Sequence, residues 1–308
     1  MKTHRAVVIL AMTLLVAAVA HAASRPLSTR EVAHRFLERM FLKNDVRGAY
    51  DAYAAPNFIQ HNPLIADGLA GHHAYFEHLA TQPQGRTSDW AHVFDMILVD
   101  GDKFAVLHHV FRSPEDRGRL FVDIWRVKDG KIAEHWDIIQ DIPATILHSN
   151  GMGCGPAKDY ASARAVGDTF RHPACGAPDP HTTKAKSMAI IDKYLAEIRS
   201  GDIAGGIRHW FSPSYRQHSP TIEDGADGAI RYLDREWGSK SKELPKLGPA
   251  RVIGEGDYVL YHRLVTYPGA AAASSNVDIY RVTDGKISEH WDIKQLTPPT
   301  SANNNGMW

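Results

Sequence analysis

The chain has 308 residues, and its 35 lysines and arginines balance its 35 aspartates and glutamates. No long basic run occurs, so the composition argues against nucleic acid as a partner. The length suits two domains of ordinary size better than one.

The first predicted element is an export signal. Lys2, His4 and Arg5 precede an unbroken apolar run at 6–20, and the small residues Ala20 and Ala22 follow it closely. The run is shorter than the roughly twenty residues that a membrane-spanning helix needs. We therefore expect residues 1–22 to be a cleaved signal peptide, and the mature protein to be periplasmic or secreted without a membrane partner.

Residues 26–152 have helical patterns first and strand patterns last. Ser28 and Glu31 are spaced as a capping box, and an apolar stripe follows them. A second short helix is predicted before Pro56 and a third near 71–79. Strands are then predicted at 91–99, 103–111 and in a hairpin over 123–140. This order is typical of an α+β domain with helices on one face of an antiparallel sheet.

A connection rich in Gly, Ala and Pro follows at 153–182, and we expect it to be irregular. It holds the only two cysteines, Cys154 and Cys175. In an oxidising compartment the two thiols are expected to form a disulfide; two free thiols are the alternative.

The first domain is then repeated. DIWRVKDGKIAEHWDIIQ at 123–140 returns as DIYRVTDGKISEHWDIKQ at 278–295, with four differences in eighteen positions. Gln60-His61-Asn62-Pro63 likewise returns as Gln217-His218-Ser219-Pro220. Landmarks in the same order indicate a second copy of the domain at 183–308.

The repeated hairpin contains an Asp129-Gly130 pair, which is typical of a two-residue type I′ turn. If pairing continues regularly from this turn, side chains alternate between the two faces of the hairpin. One face then carries Asp123, Trp125, Glu134 and Trp136, and the opposite face carries Ile124, His135 and Asp137. A β-bulge would reverse this assignment.

Asp123 is the first catalytic candidate, since a carboxyl group between two tryptophans loses hydration and can exchange protons near neutral pH. A structural role, such as pairing with Arg126, is the alternative. His61 and His108 are further candidates. They recur as His218 and His262, although the second match needs a one-residue gap.

A metal site is the weaker hypothesis. His135 and Asp137 lie two apart on one strand, and His109 could supply a third ligand. We favour hydrogen bonds at a contact between sheets for this pair, and we predict neither a metal nor a cofactor.

Together these motifs resemble the SnoaL-like, polyketide-cyclase-type branch of the nuclear transport factor 2-like superfamily. The resemblance covers nearly all of both copies. It implies two cone-shaped α+β barrel domains, each a curved antiparallel sheet closed by N-terminal helices. It does not specify a reaction, because this fold carries isomerases, dehydratases, cyclases, hydrolases and proteins that only bind.

The resemblance also implies a site. Cyclases of this family use a pocket Asp as general acid/base, often with a nearby His. The positions most like this pair are Asp123 with His108, and Asp278 with His262. His61 and His218 lie near where isomerase-like members place a base. The aromatic residues expected to line the pockets are Trp125, Trp136, Phe58, Tyr280, Trp291 and Tyr215.

Two functions follow from this sequence. The first is a cofactor-free lyase or isomerase acting on a small carbonyl compound. The second is a periplasmic binder of an apolar small molecule. Members of this fold often dimerise through their sheets, so we expect an internal pseudo-dimer with two pockets, with a homo-oligomer left open.

Overall fold

We describe the protein from a computed structural model, at residues 25–154, 159–166, 169–238 and 244–308. The predicted signal peptide at 1–22 lies outside these ranges. Within them, no helix is long and apolar enough to cross a bilayer.

The first domain packs three helices against a five-stranded sheet. Helix α1 continues through a wider π-helical turn as far as Leu42. The elements in chain order are α1 (Thr29–Leu37), α2 (Val46–Tyr53), β1 (Ala54–Gln60), α3 (Gly68–Leu79), β2 (Ala91–Asp100), β3 (Lys103–Phe111), β4 (Arg119–Lys128) and β5 (Lys131–Asp141).

The second domain repeats this order. A short helix, α4, precedes it within the connection that was expected to be irregular. The elements are α4 (Tyr160–Val166), α5 (Lys184–Arg199), α6 (Ile203–Trp210), β6 (Phe211–Gln217), α7 (Gly225–Leu233), β7 (Lys246–Leu247), β8 (Arg251–Glu255), β9 (Tyr258–Thr266), β10 (Ser274–Thr283) and β11 (Lys286–Leu296).

Both sheets are open. In the first, the order is β1-β5-β4-β3-β2, and β1 joins β5 in parallel while the other pairs are antiparallel. The predicted α+β class is confirmed, with helices covering one face of the sheet in each domain; the strands themselves do not close into a barrel. Strand β2 is an edge strand, and the connection between the domains binds it: Ala174 N–H donates to Phe94 O at 2.9 Å.

Helix α1 begins as predicted. Ser28 accepts a hydrogen bond from the Glu31 backbone, and the Glu31 carboxylate accepts one from Ser28 N–H. Its apolar stripe is buried against the sheet, where the rings of Phe36 and Trp125 lie 5.4 Å apart. The helices therefore cover the concave face of the sheet and leave a cavity beneath them.

The hairpin turn is as predicted, with positive φ angles at Asp129 (52°) and Gly130 (72°). The strands after it contain a bulge. Val127 pairs with Ile132, but Arg126 pairs with Glu134, so that Ala133 has no opposite residue.

This bulge makes the predicted face assignment wrong. Asp123 now lies opposite Asp137, and Trp125 lies opposite His135. These four side chains share the concave face, while Trp136 points to the back. The second hairpin carries the same bulge at Ser288, between the pairs Arg281–Glu289 and Val282–Ile287.

The backs of the two sheets pack together and form one apolar core. Trp136 and Ile138 of the first domain join Trp291 and Ile293 of the second in a single buried cluster. Two glutamines bind across the contact in matching ways: Gln140 Oε1 accepts from Lys294 N–H, and Gln295 Oε1 accepts from Ile139 N–H, both at 2.8 Å. The chain is thus an internal pseudo-dimer.

The segment after each sheet crosses to the other domain. Asn150 Nδ2 donates to Gln217 O at 3.0 Å, and Asn305 Nδ2 donates to Gln60 O at 2.9 Å. These exchanged tails use the same motif, Asn-Gly-Met, at matching positions. The two domains therefore complete each other.

The predicted disulfide between Cys154 and Cys175 is present. Both cysteine N–H groups donate to Asp95, to its side chain at 2.6 Å and to its carbonyl oxygen at 2.8 Å. The disulfide therefore fastens the connection to strand β2.

Replacing Cys154 and Cys175 together by Ser should lower the free energy of unfolding by about 3 kcal/mol, because a cross-link over 21 residues of separation restricts the unfolded chain. Urea unfolding with and without a reductant measures this difference. The reductant should destabilise the wild-type protein and leave the double variant unchanged. Equal stability of the two proteins would contradict the prediction.

Candidate active site

A cavity of about 220 Å³ lies between the helices and the concave face of the first sheet. Aromatic and aliphatic side chains form most of its wall, and a group of buried polar side chains lies on the sheet side. On or next to strands β1 to β5, its polar members include Gln60, Asn62, His92, His108, Asp123, His135 and Asp137.

Asp123 lies at the centre of this polar group, on β4, and is buried. Its Oδ2 is 2.7 Å from His108 Nε2, and its Oδ1 is 3.0 Å from His135 Nε2. Burial raises the pKa of Asp123, but the hydrogen bonds with the two imidazoles outweigh it and hold the pKa below the usual range. Asp123 is therefore a buried carboxylate that orients two rings.

The tautomer of His135 follows from its other neighbour. Gln60 Oε1 accepts a hydrogen bond from Asn62 N–H at 2.9 Å, so this atom is an oxygen that faces His135 Nδ1 at 3.1 Å. Nδ1 must therefore donate. The hydrogen bond between Nε2 and Asp123 then needs a second proton, which His135 and Asp123 share.

Asp137 has the opposite electrostatic character. Burial, together with the charge of Asp123, raises its pKa to about 6, against the attraction of His135. Asn62 Nδ2 donates to its Oδ2 at 2.5 Å, whereas Oδ1 is buried without a hydrogen-bond partner among the described residues. Asp137 can therefore hold or release a proton near neutral pH, and one of its oxygens is available to a ligand.

His108 is fixed by neighbouring rings. The ring of Phe94 stacks on it at 5.6 Å, and Phe41 meets it edge-on at 5.3 Å. Its Nδ1 lies 3.5 Å from His92 Nδ1. Burial, and then the proximity of His108, lowers the pKa of His92 to about 3, so His92 is neutral at physiological pH. His108 thus has a carboxylate on one nitrogen and a neutral imidazole on the other.

The donor atoms of Asp123, His135 and Asp137 all lie within 4.8 Å of one another, which is close enough to hold a metal ion. A metal would have to displace the proton between Asp123 and His135. The prediction of His109 as a third ligand is wrong, because His109 Nδ1 lies 2.7 Å from Asp95 Oδ2 on the back of the sheet.

A second cavity, of about 260 Å³, occupies the same position in the second domain. In this cavity, Asp278, His290 and Asp292 stand at the positions that Asp123, His135 and Asp137 occupy in the first. Their contacts are looser, because Asp278 Oδ1 is 3.5 Å from His290 Nε2 and the Asp278 side chain is 29% exposed. The corresponding exposure of Asp123 is 9%.

The predicted equivalence of His262 with His108 is wrong. Strand register places Arg263 at the position of His108, opposite Asn276. His262 faces the back of the sheet, where its Nε2 meets Ser275 Oγ at 2.8 Å. Strand β9 therefore places no histidine beside Asp278 in the second cavity.

His61 and His218 also lie outside the cavities. His61 stacks on Trp136 with 4.7 Å between ring centroids, and contacts Glu134 and the exchanged tail at Gly306 O. His218 stacks on Trp291 in the same way, at 4.5 Å. These four predicted pocket residues belong to the contact between domains.

Of the remaining predicted aromatic residues, Trp125 and Tyr280 line the first and second cavity respectively. Phe58 and Tyr215 are buried in the helix–sheet cores of their domains, and neither is part of a described cavity wall.

The sequence analysis did not identify His135, Asp137, His92 and Asn62 as cavity residues. For His135 and Asp137 the cause is the bulge, which reverses the hairpin. His92 on β2 and Asn62 after β1 lie outside the hairpin. One signal was available. His135 and Asp137 recur as His290 and Asp292, as firmly as Asp123 recurs as Asp278.

The fold and the repeat agree with known proteins. The SnoaL-like domain matches residues 18–135 and 191–290, so the chain belongs to the SnoaL-like family. No curated protein matches the sequence significantly.

Solved structures are similar to part of the chain. TsrD from Streptomyces laurentii is 21% identical, over 36% of this chain and 90% of its own, with a TM-score of 0.30. AclR from Streptomyces galilaeus is 23% identical, over 37% and 81%, with a TM-score of 0.29. An NTF-2 like protein of unknown function from Burkholderia xenovorans LB400 is 13% identical, over 39% and 88%, with a TM-score of 0.30.

Asp137→Asn and Asp292→Asn should respond to pH in opposite directions. The wild-type protein loses stability as pH rises through the raised pKa of Asp137, about 6, so Asp137→Asn should gain about 3 kcal/mol relative to wild type between about pH 4 and pH 7. Burial raises the pKa of Asp292, but the charges of Lys294 and His290 lower it by more than this. The stability of Asp292→Asn relative to wild type should therefore fall as the pH rises toward the unfolded-state pKa of about 4, and stay level above it.

Urea unfolding of both variants and of the wild-type protein, at several pH values, measures these trends. The same trend in both variants would show that the two carboxyl groups do not differ in this way.

Proposed function

We propose that the first domain is a cofactor-free acid/base enzyme acting on a small, largely apolar carbonyl compound. The observation that carries the proposal is the buried carboxylate of Asp123 between two imidazoles, beside a carboxyl group that titrates near neutral pH. Membership of the SnoaL-like family supports a small molecule as the ligand.

His108 is the base in this mechanism. Asp123 accepts the Nε2 proton of His108 at 2.7 Å and so leaves Nδ1 as the basic atom. The carboxylate also stabilises the imidazolium that forms when the ring takes a proton, as an Asp does for the His of a catalytic triad. The proton comes from the carbon next to the carbonyl group.

Asp137 supplies the acid. As that C–H bond breaks, its electron pair moves toward the carbonyl oxygen, and protonated Asp137 donates to this oxygen through its free side. A carboxyl group kept neutral in a poorly hydrated site serves in this way as a hydrogen-bond donor. Isomerisation, dehydration and aldol closure all begin with such an enol or enolate.

The cavity wall assists by excluding water. Trp125 on β4 and the ring of Phe41 on the helix side form part of the wall beside the polar group. A low-dielectric wall strengthens each hydrogen bond to the developing oxyanion.

We assign catalysis to the first domain because Arg263 replaces His108 in the second. Asp278, His262 and His218, which the sequence suggested as catalytic, then have no role in the chemistry.

We also propose that the protein works in the periplasm or outside the cell. The apolar run at 6–20 and the Cys154–Cys175 disulfide support this, since disulfides persist in oxidising compartments. Amino-terminal sequencing of the periplasmic protein from an expressing bacterium should give a start near residue 23. An intact start in the cytosolic fraction would contradict export.

Asp123→Asn should reduce proton exchange at least about a hundredfold, because it removes the charge that makes His108 basic. Incorporation of deuterium from solvent into a panel of ketones and diketones, followed by NMR, measures the exchange. Asp278→Asn is the matched control in the second domain and should leave the rate unchanged.

Thermal unfolding of both variants separates loss of activity from loss of fold. Undiminished exchange in Asp123→Asn would overturn the mechanism. If the wild-type protein exchanges no carbonyl compound but retains one unaltered in native mass spectrometry, the apolar wall favours the second candidate, a periplasmic binding protein.

A further inference from the structure

One row of side chains across the sheet carries a histidine and two apolar residues in the first cavity, and two cations and an amide in the second. In the first domain, His108 lies opposite Phe121, which lies opposite Ile139. In the second domain, the same three neighbouring strand positions hold Arg263, Asn276 and Lys294. All three side chains line the cavity. A guanidinium, an amide and an ammonium group thus stand side by side across the sheet.

The central amide is held in a fixed orientation. Asn276 Oδ1 accepts from Ser274 Oγ at 2.6 Å, and Asn276 Nδ2 donates to the hydroxyl of Tyr267 at 2.9 Å. Because the Tyr267 oxygen accepts this bond, its own proton is left for another acceptor. Tyr267 also lines the cavity, so it adds a neutral donor to the two cations.

The positive charges of Lys294 and Arg263 differ in how far neighbouring carboxylates neutralise them. Lys294 Nζ lies 2.7 Å from Asp292 and retains donors beyond that ion pair. Arg263 has no carboxylate within ion-pair distance among the described residues, and its Nε is buried without a hydrogen-bond partner there. A guanidinium that lines a cavity without such a partner can bind a ligand carboxylate through two parallel hydrogen bonds.

We propose that the second cavity binds a small organic acid, with the carboxylate against Arg263, Lys294 and Tyr267. The rest of the ligand packs on the apolar part of the remaining wall, which includes Ile198, Leu233, Val265 and the ring of Tyr280. The wall also carries the carboxyl groups of Glu236, Asp278 and Asp292, so the ligand has a single carboxylate that lies against the cations. This site is distinct from the first cavity and does not depend on the catalytic proposal. One chain then holds a neutral carbonyl compound and an organic anion in cavities of similar size.

Isothermal titration of the full-length protein with benzoate, phenylpropionate and cyclohexanecarboxylate tests the proposal. The corresponding primary amides are the neutral probes, and benzenephosphonate tests whether another oxyanion serves. At least one carboxylate should bind, and its amide should bind at least about tenfold more weakly.

Arg263→Gln should weaken carboxylate binding at least about tenfold and leave amide binding unchanged, while Arg263→Lys should retain part of the affinity. Arg119→Gln removes an arginine from the wall of the first cavity and is the matched control, with unchanged affinity. Thermal unfolding confirms that each variant is folded.

Carboxylate binding that Arg263→Gln leaves intact, or that Arg119→Gln abolishes, would overturn the site. Failure of every carboxylate to bind the wild-type protein would also overturn it. Phosphonate binding stronger than carboxylate binding, with the same loss in Arg263→Gln, would replace the organic acid by a phosphoryl ligand. The exchange assay on the first domain is unaffected by each of these outcomes.

Discussion

The packing of the two sheets, back to back, is the contact on which both cavities depend. A cavity and buried polar groups each cost stability, because they remove apolar contacts and hydration. The shared cluster around Trp136 and Trp291 supplies a core that does not use the concave faces. Each concave face can therefore stay partly hollow and carry ionisable side chains. The exchanged tails strengthen this contact by binding each domain to the first strand of the other.

Within that frame, a single extra residue decides which chemistry faces the cavity. The bulge at Ala133 turns His135 and Asp137 inward and turns Glu134 and Trp136 outward. Glu134 then meets His61 and Arg126 at 2.9 and 2.7 Å, at a site with partial access to water. Without the bulge, Glu134 and Trp136 would face the cavity in place of His135 and Asp137. The catalytic proposal depends on this local irregularity more than on the overall fold.

Most of the fold could be predicted because it depends on local patterns, several of which occur in both copies. The capping box at Ser28, the turn at Asp129-Gly130 and the repeated landmarks each have a short-range physical cause. The bulge has no such signature, since Ala133 and Ser288 fit a regular strand equally well. Arg263 was missed for a related reason: a match of adjacent histidines suggested a gap that strand register does not contain. Side-chain orientation in a sheet depends on pairing over the whole strand, which sequence spacing alone does not give.

The fusion of two copies into one chain has an evolutionary consequence. In a homodimer of identical subunits, every substitution appears in both, so the two binding sites cannot diverge. Here the contact surface keeps matching residues, such as Gln140 with Gln295. The cavity walls differ in part, since Arg263, Asn276 and Lys294 stand where the first cavity has His108, Phe121 and Ile139. Selection can act on one site without loss at the other. A single gene can thereby encode two sites with different ligands, which a symmetric homodimer cannot.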